Sequence, residues 1–212
     1  MALELVTTDG IFALDGGEWE VTNNIWIAGD DSEVLVFDAA HDHQPIVDAI
    51  AGRRVKAIVL THGHNDHINA AVALRDAVDA PIMLHDDDRM LWDVVYPDDS
   101  PDRSIEPGSQ LSAGGHTFGV LHTPGHSPGC CCFHDVGSEM VMSGDTLFCG
   151  GPGATGRSHS HEPTILRSII DTLLSLPDHT VVHTGHGEST TVADERPGVL
   201  ARAEEVGVVP GA

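Results

Sequence analysis

Thr61-His62-Gly63-His64-Asn65-Asp66-His67 packs three imidazoles and one carboxylate into six consecutive residues, directly after the apolar run 55–60. Neutral imidazole together with carboxylate is a ligand set for zinc, iron or manganese. A buried strand ending in a polar cluster is how α/β proteins bring side chains to one working edge. His62 and His64, two apart in an extended segment, point the same way. Asp66 and His67 lie past the bend and could face a second ion. A polar loop in a chain with 15 histidines would carry the same letters without chemistry, so the weight falls on four further pieces. Thr123-Pro124-Gly125-His126-Ser127-Pro128-Gly129 holds an imidazole on a rigid turn. Ser143-Gly144-Asp145-Thr146-Leu147-Phe148 sets an aspartate just past a strand, Thr184-Gly185-His186-Gly187 a histidine between glycines, and Asp38 closes the run 33–37. Each lies at the expected C-terminal end of a strand, so all can meet at one edge.

The elements that must position them can be read from the hydrophobic pattern. Alternation over 4–14 and 19–29, around Asp15-Gly16-Gly17, predicts an opening hairpin. Strands are expected at 33–37, 55–60 and 81–84, with helices at 44–51, 67–78 and 86–95. Residues 109–112, 117–122, 129–134 and 139–142 predict a second, antiparallel sheet. A helix over 162–176, a strand over 180–183 and a helix over 197–206 precede a small-residue tail. No repeat or low-complexity linker divides residues 1–212, which predicts a single domain. The element order predicts an α/β (α+β) fold, a four-layer αββα sandwich with two sheets face to face and helices outside.

Charge narrows the partners. Asp and Glu number 33 against 10 Lys and Arg, a formal −23, and Lys56 is the only lysine. Such a surface repels nucleic acid and anionic membranes. The runs Asp86-Asp87-Asp88 and Asp98-Asp99 are expected as solvated faces. No apolar run reaches the ~18 residues of a membrane span, and the acidic start Met1-Ala2-Leu3-Glu4 lacks a secretory layout, so a cytoplasmic location is expected. Cys130-Cys131-Cys132 are consecutive and should point alternately to opposite faces of a strand, as packing residues rather than bridges. Cys149, four positions after Asp145, is a candidate for the substrate cleft. So is Arg157, the cation that ends Gly150-Gly151-Pro152-Gly153-Ala154-Thr155-Gly156. His41 and His43 are expected in an exposed loop, and His85, His116, His134 and His179 solvated at element ends. His122 and His183 are expected as satisfied strand residues.

The set HxHxDH, TPGHS, GDTLF and TGH resembles the metallo-β-lactamase superfamily, and within it the glyoxalase II-like thioester hydrolases, over about residues 5–190. The resemblance implies a dinuclear site. His62, His64 and His126 would bind one divalent ion, and Asp66, His67 and His186 the other. Asp145 would bridge them, and Asp38 would orient the loop from outside. Zinc is the expected metal, with iron or manganese also suited to these ligands. The implied reaction is attack on an acyl carbonyl by hydroxide, made available because metal binding lowers water's pKa to about 7. The oxyanion is held by the metals, and Asp66 takes the remaining proton. A small-molecule thioester is the expected substrate, and oligomeric state is not encoded. Only 26 residues follow His186, too few for the helical glutathione-holding domain of full-length glyoxalase II. Mycothiol or coenzyme A are therefore considered as carrier thiols. Two other activities fit the fold: a persulfide dioxygenase with one iron on two His and an Asp, and a lactonase. Aspartate at 145 disfavours the lactamases that carry cysteine there, and the −23 charge disfavours a nuclease.

Overall fold

The structure is a computed structural model and describes residues 2–209; Met1 and the end of the small-residue tail lie outside the described residues. Strands β1 (Ala2–Leu14), β2 (Gly17–Gly29), β3 (Glu33–Phe37), β4 (Arg54–Val59), β5 (Ile82–Leu84) and β6 (Arg103–Ser104) form one sheet in that order. The second sheet runs β14 (Thr190–Thr191), β13 (Val181–Thr184), β10 (Met140–Gly144), β9 (Cys131–Asp135), β8 (His116–His122), β7 (Gln110–Ala113). A two-stranded ribbon, β11 (Leu147–Phe148) with β12 (Gly151–Pro152), follows Asp145.

Alternation along each strand sorts side chains into three apolar layers. Trp26, Ala28, Leu35, Phe37, Ala57 and Val59 face Phe118, Phe133, Met140 and Met142 between the sheets, with Phe37 4.9 Å from Phe118 and 5.2 Å from Phe133. Their neighbours Ile25, Ile27, Val34, Val36 and Ile58 point the other way, under helices α1 (His43–Ile50), α3 (Ala71–Val78) and α4 (Arg89–Val95). On the far side, Val141 and Val182 pack under α5 (Glu162–Asp171) and α6 (Val192–Glu205). This is the expected αββα sandwich. The consecutive cysteines divide as a strand dictates: Cys131 faces the inter-sheet core and Cys132 the helical layer, both unbridged.

The differences from expectation have local causes. The helix expected over 67–78 is two pieces, α2 (Asn65–Ile68) and α3. Ala39 donates its N–H to His67 O and accepts from Ala70 N, both at 2.9 Å, so these backbone groups leave the helical ladder. The last helix begins at Val192, capped by Thr191 accepting from Asp194 N–H, and carries Pro197 inside it rather than at its start. Helix α5 ends at Asp171, and the segment expected to continue it is a tighter turn over Leu173–Ser175. Strands β6 and β14, two residues each, were too short to show a period. His116 is not solvated: it is buried, with Nδ1 2.7 Å from Asp135. His85 is half-buried and stacks on His122 at 4.4 Å. Among the described residues no helix is long and apolar enough to cross a membrane.

Candidate metal centre

The parallel strands β3 and β4, and the parallel pair β10 and β13, end at the same edge of the sandwich. Asp38 follows β3, the 61–67 segment follows β4, His126 follows β8, Asp145 follows β10 and His186 follows β13. The structure brings all seven sequence-identified candidates His62, His64, Asp66, His67, His126, Asp145 and His186 together, with Asp38 beneath them.

Hydrogen-bond partners fix which ring nitrogens carry lone pairs. Thr61 Oγ1 donates to Asp38 Oδ2 at 2.9 Å, so at 3.1 Å it accepts from His62 Nδ1–H and leaves His62 Nε2 bare. His126 Nδ1–H donates to Ala154 O at 2.8 Å, leaving Nε2 bare. Both bare atoms face His64 Nδ1, at 3.0 and 2.9 Å. In the second group, His67 Nδ1 bonds Asp38 Oδ2 at 2.9 Å and His186 Nδ1–H donates to Thr22 O at 2.8 Å. Their Nε2 atoms stand 3.2 Å apart, and Asp66 Oδ2 lies 3.6 and 3.3 Å from them. Asp145 reaches both groups: Oδ1 is 3.3 Å from His67 Nε2, and Oδ2 is 3.5 Å from His126 Nε2 and 3.6 Å from His186 Nε2. His64 Nε2, Asp66 Oδ1 and Asp145 Oδ1 are buried with no hydrogen-bond partner. Lone pairs that converge without protons between them, beside orphaned buried carboxylate oxygens, fit divalent cations.

Electrostatics separates the groups. Burial pushes His62 well below the ordinary imidazole value, reinforced by the His67 charge, and pushes His64 down to about 3, reinforced by His126. Burial also acts to lower His67, yet the carboxylates of Asp145, Asp66 and Asp38 hold it well above. His186 is raised against burial, chiefly by Asp145. Burial would raise Asp145, but His67, His186 and His126 outweigh it and keep it well below the carboxylate range. Glycine at 185 is steric: a Cβ there would collide with the Asp145 carboxylate and the His67 ring.

Two residues missed by sequence reasoning sit in this frame. Asp88, expected in a solvated run, is fully buried. It accepts from Gly63 N at 2.7 Å, Ser127 Oγ at 2.6 Å and Gly129 N at 2.6 Å, tying the His64 loop to the His126 loop. Its position just after β5, at the same strand edge, was the available signal. Asn23, buried in β2, has its amide nitrogen 3.1 Å from Asp66 Oδ2. A pair of asparagines, Asn23 and Asn24, opening the otherwise apolar inner stretch of β2 was the trace it left. His41 is half-buried against Asn23 rather than in an exposed loop.

The cavity over the centre is about 90 Å³ and is walled by Phe12, Val21, Ala154 and Arg157. Arg157 lies 3.9 Å over Trp19 and 5.0 Å from the Phe12 ring centre. Cys149 is exposed and does not line this cavity. His85, Asp87 and His122 form another close group. Its two rings stack within 11° of parallel and His122 Nε2 bonds Pro128 O at 2.9 Å, so the imidazole lone pairs run side by side instead of converging.

Known proteins share this architecture. A Bacillus subtilis protein named as a probable metallo-hydrolase, YqgX, is 35% identical over 187 residues, covering 82% of this chain and 89% of its own. The hydroxyacylglutathione hydrolase GloC of Haemophilus influenzae is 30% identical over 188 residues, covering 81% and 87%. The structure of TTHA1623 in a di-iron-bound form superposes with a TM-score of 0.75 at 32% identity, covering 83% of this chain and 93% of that one. The sequence profile of the metallo-beta-lactamase superfamily matches residues 17–186. With that match and a site of His and Asp clusters suited to divalent metal ions, this chain belongs to the metallo-beta-lactamase superfamily.

Proposed function

We propose that this protein is a dinuclear metal-dependent hydrolase that cleaves a thioester of a small thiol. One observation carries the reading: two separate triads of converging donors, with Asp145 set against both. His62, His64 and His126 hold one ion, and Asp66, His67 and His186 hold the other. The ions are zinc, or iron or manganese, all of which accept nitrogen and carboxylate donors. When bound, they polarise the acyl carbonyl and bring the pKa of water near neutrality.

The chain's own residues do the rest. Asp66 Oδ1, buried, unpartnered and on a side chain that lines the cavity, is placed to take a proton from the attacking water. The thiol leaving group, with a pKa of about 8.5, departs as thiolate with little acid assistance. A 90 Å³ cavity admits only the reacting group, so the remainder of the substrate lies outside the Phe12–Arg157 wall. There the Arg157 guanidinium offers a cation to an anionic portion of the substrate. The hydroxyacylglutathione hydrolase relative supports a thioester. A dioxygenase with one iron on two histidines and one aspartate would leave four of the seven converging groups without an ion to hold.

The test is turnover of lactoyl and formyl thioesters of glutathione, mycothiol and coenzyme A, read as free thiol released. Cleavage of at least one with metal-loaded protein is expected. Hydrolysis of lactones with no thioester turned over would replace this reading with the lactonase.

A further inference from the structure

A directional chain of hydrogen bonds leads from the half-buried pair His41 and Asn69 into the Asp66–His67–His186 group, and it starts from a donor that cannot reverse. The His41 backbone N–H donates to Asn69 Oδ1 at 2.5 Å, which settles the orientation of the Asn69 amide. Asn69 Nδ2 then donates to His41 Nδ1 at 3.1 Å, so that nitrogen is the acceptor of a neutral imidazole. His41 Nε2 consequently carries the proton and donates to Asn23 Oδ1 at 2.8 Å. With its oxygen thus engaged, Asn23 must turn its NH2 toward the centre. There it donates to Asp66 Oδ2 at 3.1 Å and stands 3.3 and 3.4 Å from His67 Nε2 and His186 Nε2.

We propose that Asn23 is the positioning residue of the second metal group. Its amide holds Asp66 Oδ2 turned toward His67 and His186, and His41 with Asn69 fixes which way that amide faces. The inference rests on the dinuclear reading and adds to it a residue from β2, a strand that supplies no ligand. Asn23 is fully buried, so its amide has no water to compete for it. The backbone of β1 is fitted to the relay as well: a Cβ on Gly10 would strike the His41 ring. Among the described residues the Asn23 amide reaches Asp66, His67 and His186, whereas the outer nitrogens of His62 and His126 are met by Thr61 and the Ala154 carbonyl. The consequence of removing Asn23 is therefore confined to one ion.

Zinc is the probe. Metal-free protein is titrated against a competing chelator for the native chain, Asn23→Ala and His41→Phe, with thermal unfolding as the check on folding. The first zinc equivalent is expected to keep its affinity in both variants. The second should weaken about 10- to 100-fold in Asn23→Ala, the scale of losing a group that orients a metal ligand, and less in His41→Phe. Equal weakening of both equivalents, or no change in either, overturns the assignment. If the native chain takes up a single ion, the dinuclear reading falls and takes this inference with it. Two ions on the native chain with unaltered affinities in Asn23→Ala overturn the inference alone. Should Asn23→Ala fail to fold, nitrogen NMR of His41 in the native chain decides: the Nε2–H tautomer is expected, and Nδ1–H contradicts the relay.

Discussion

His62, His64 and His126 meet as three imidazoles, whereas Asp66, His67 and His186 meet around carboxylates, with Asp38 and Asp145 pressed against them. The two groups are contiguous, buried except for the half-buried His186, and assembled from the same strand edge, yet they solve the problem of interior charge differently. In the first, burial dominates and the imidazoles His62 and His64 are driven neutral. In the second, the carboxylates outweigh burial and raise His67 and His186 above the ordinary imidazole value. A cluster of buried carboxylates requires positive charge from somewhere. Divalent ions are the proposed native source. The comparison also locates support: Asp88 braces the first group's loops, Asn23 braces the second, and Asp38 serves both, through Thr61 beside His62 and directly at His67.

The largest expected effect comes from the one residue shared by both groups. Asp145→Ala should lose metal and activity together, with turnover down by at least ~10²–10³-fold, the scale of removing one electrostatic stabiliser. Two retained ions and near-native turnover would break the bridging assignment. His126→Ala and His186→Ala should each lose one ion of the two, from opposite groups, read as metal content per chain. If either variant loses both ions, the groups are a single unit and the comparison collapses.

Asp88→Ala sharpens it further. The change strands the N–H groups of Gly63 and Gly129 and the Ser127 hydroxyl in a dry interior. It should cost about 3 kcal/mol or more in urea unfolding and weaken zinc at the first group while sparing the second. Equal weakening at both groups would contradict the division of support.

The smallest effect is a pH response at the root of the second group. His183 packs 4.4 Å from Trp26, and burial lowers its pKa from 6.5 to about 4. As pH falls below 6.5 the unfolded chain takes the proton first. The contribution of His183 to the stability of the metal-free protein should therefore decline between pH 6.5 and about 4, by about 1–3 kcal/mol. His183→Phe should flatten that decline, as followed by the urea midpoint against pH.

What was legible in the sequence depended on how each residue announces itself. The ligand candidates were readable because glycine and proline turns isolate them at strand ends, where a histidine or aspartate has no packing role to explain it. The sandwich was readable because period-two strands and period-3.6 helices differ over five or more residues. Asp88 was hidden by its neighbours: three consecutive aspartates look solvated, and only the tertiary approach of Gly63, Ser127 and Gly129 selects one for burial. Asn23 and His41 were hidden because their partners, Asp66 for Asn23, and Asn23 and Asn69 for His41, are distant in sequence. The break between α2 and α3 depended on Ala39, whose backbone intercepts bonds that local propensity would assign to a helix.

Metal content per chain, measured by mass spectrometry on protein purified without chelator, tests the central claim most directly. Two ions per chain, of zinc, iron or manganese, is the predicted result. One iron per chain and no other metal would contradict it, and would turn attention to oxygen uptake with a persulfide substrate.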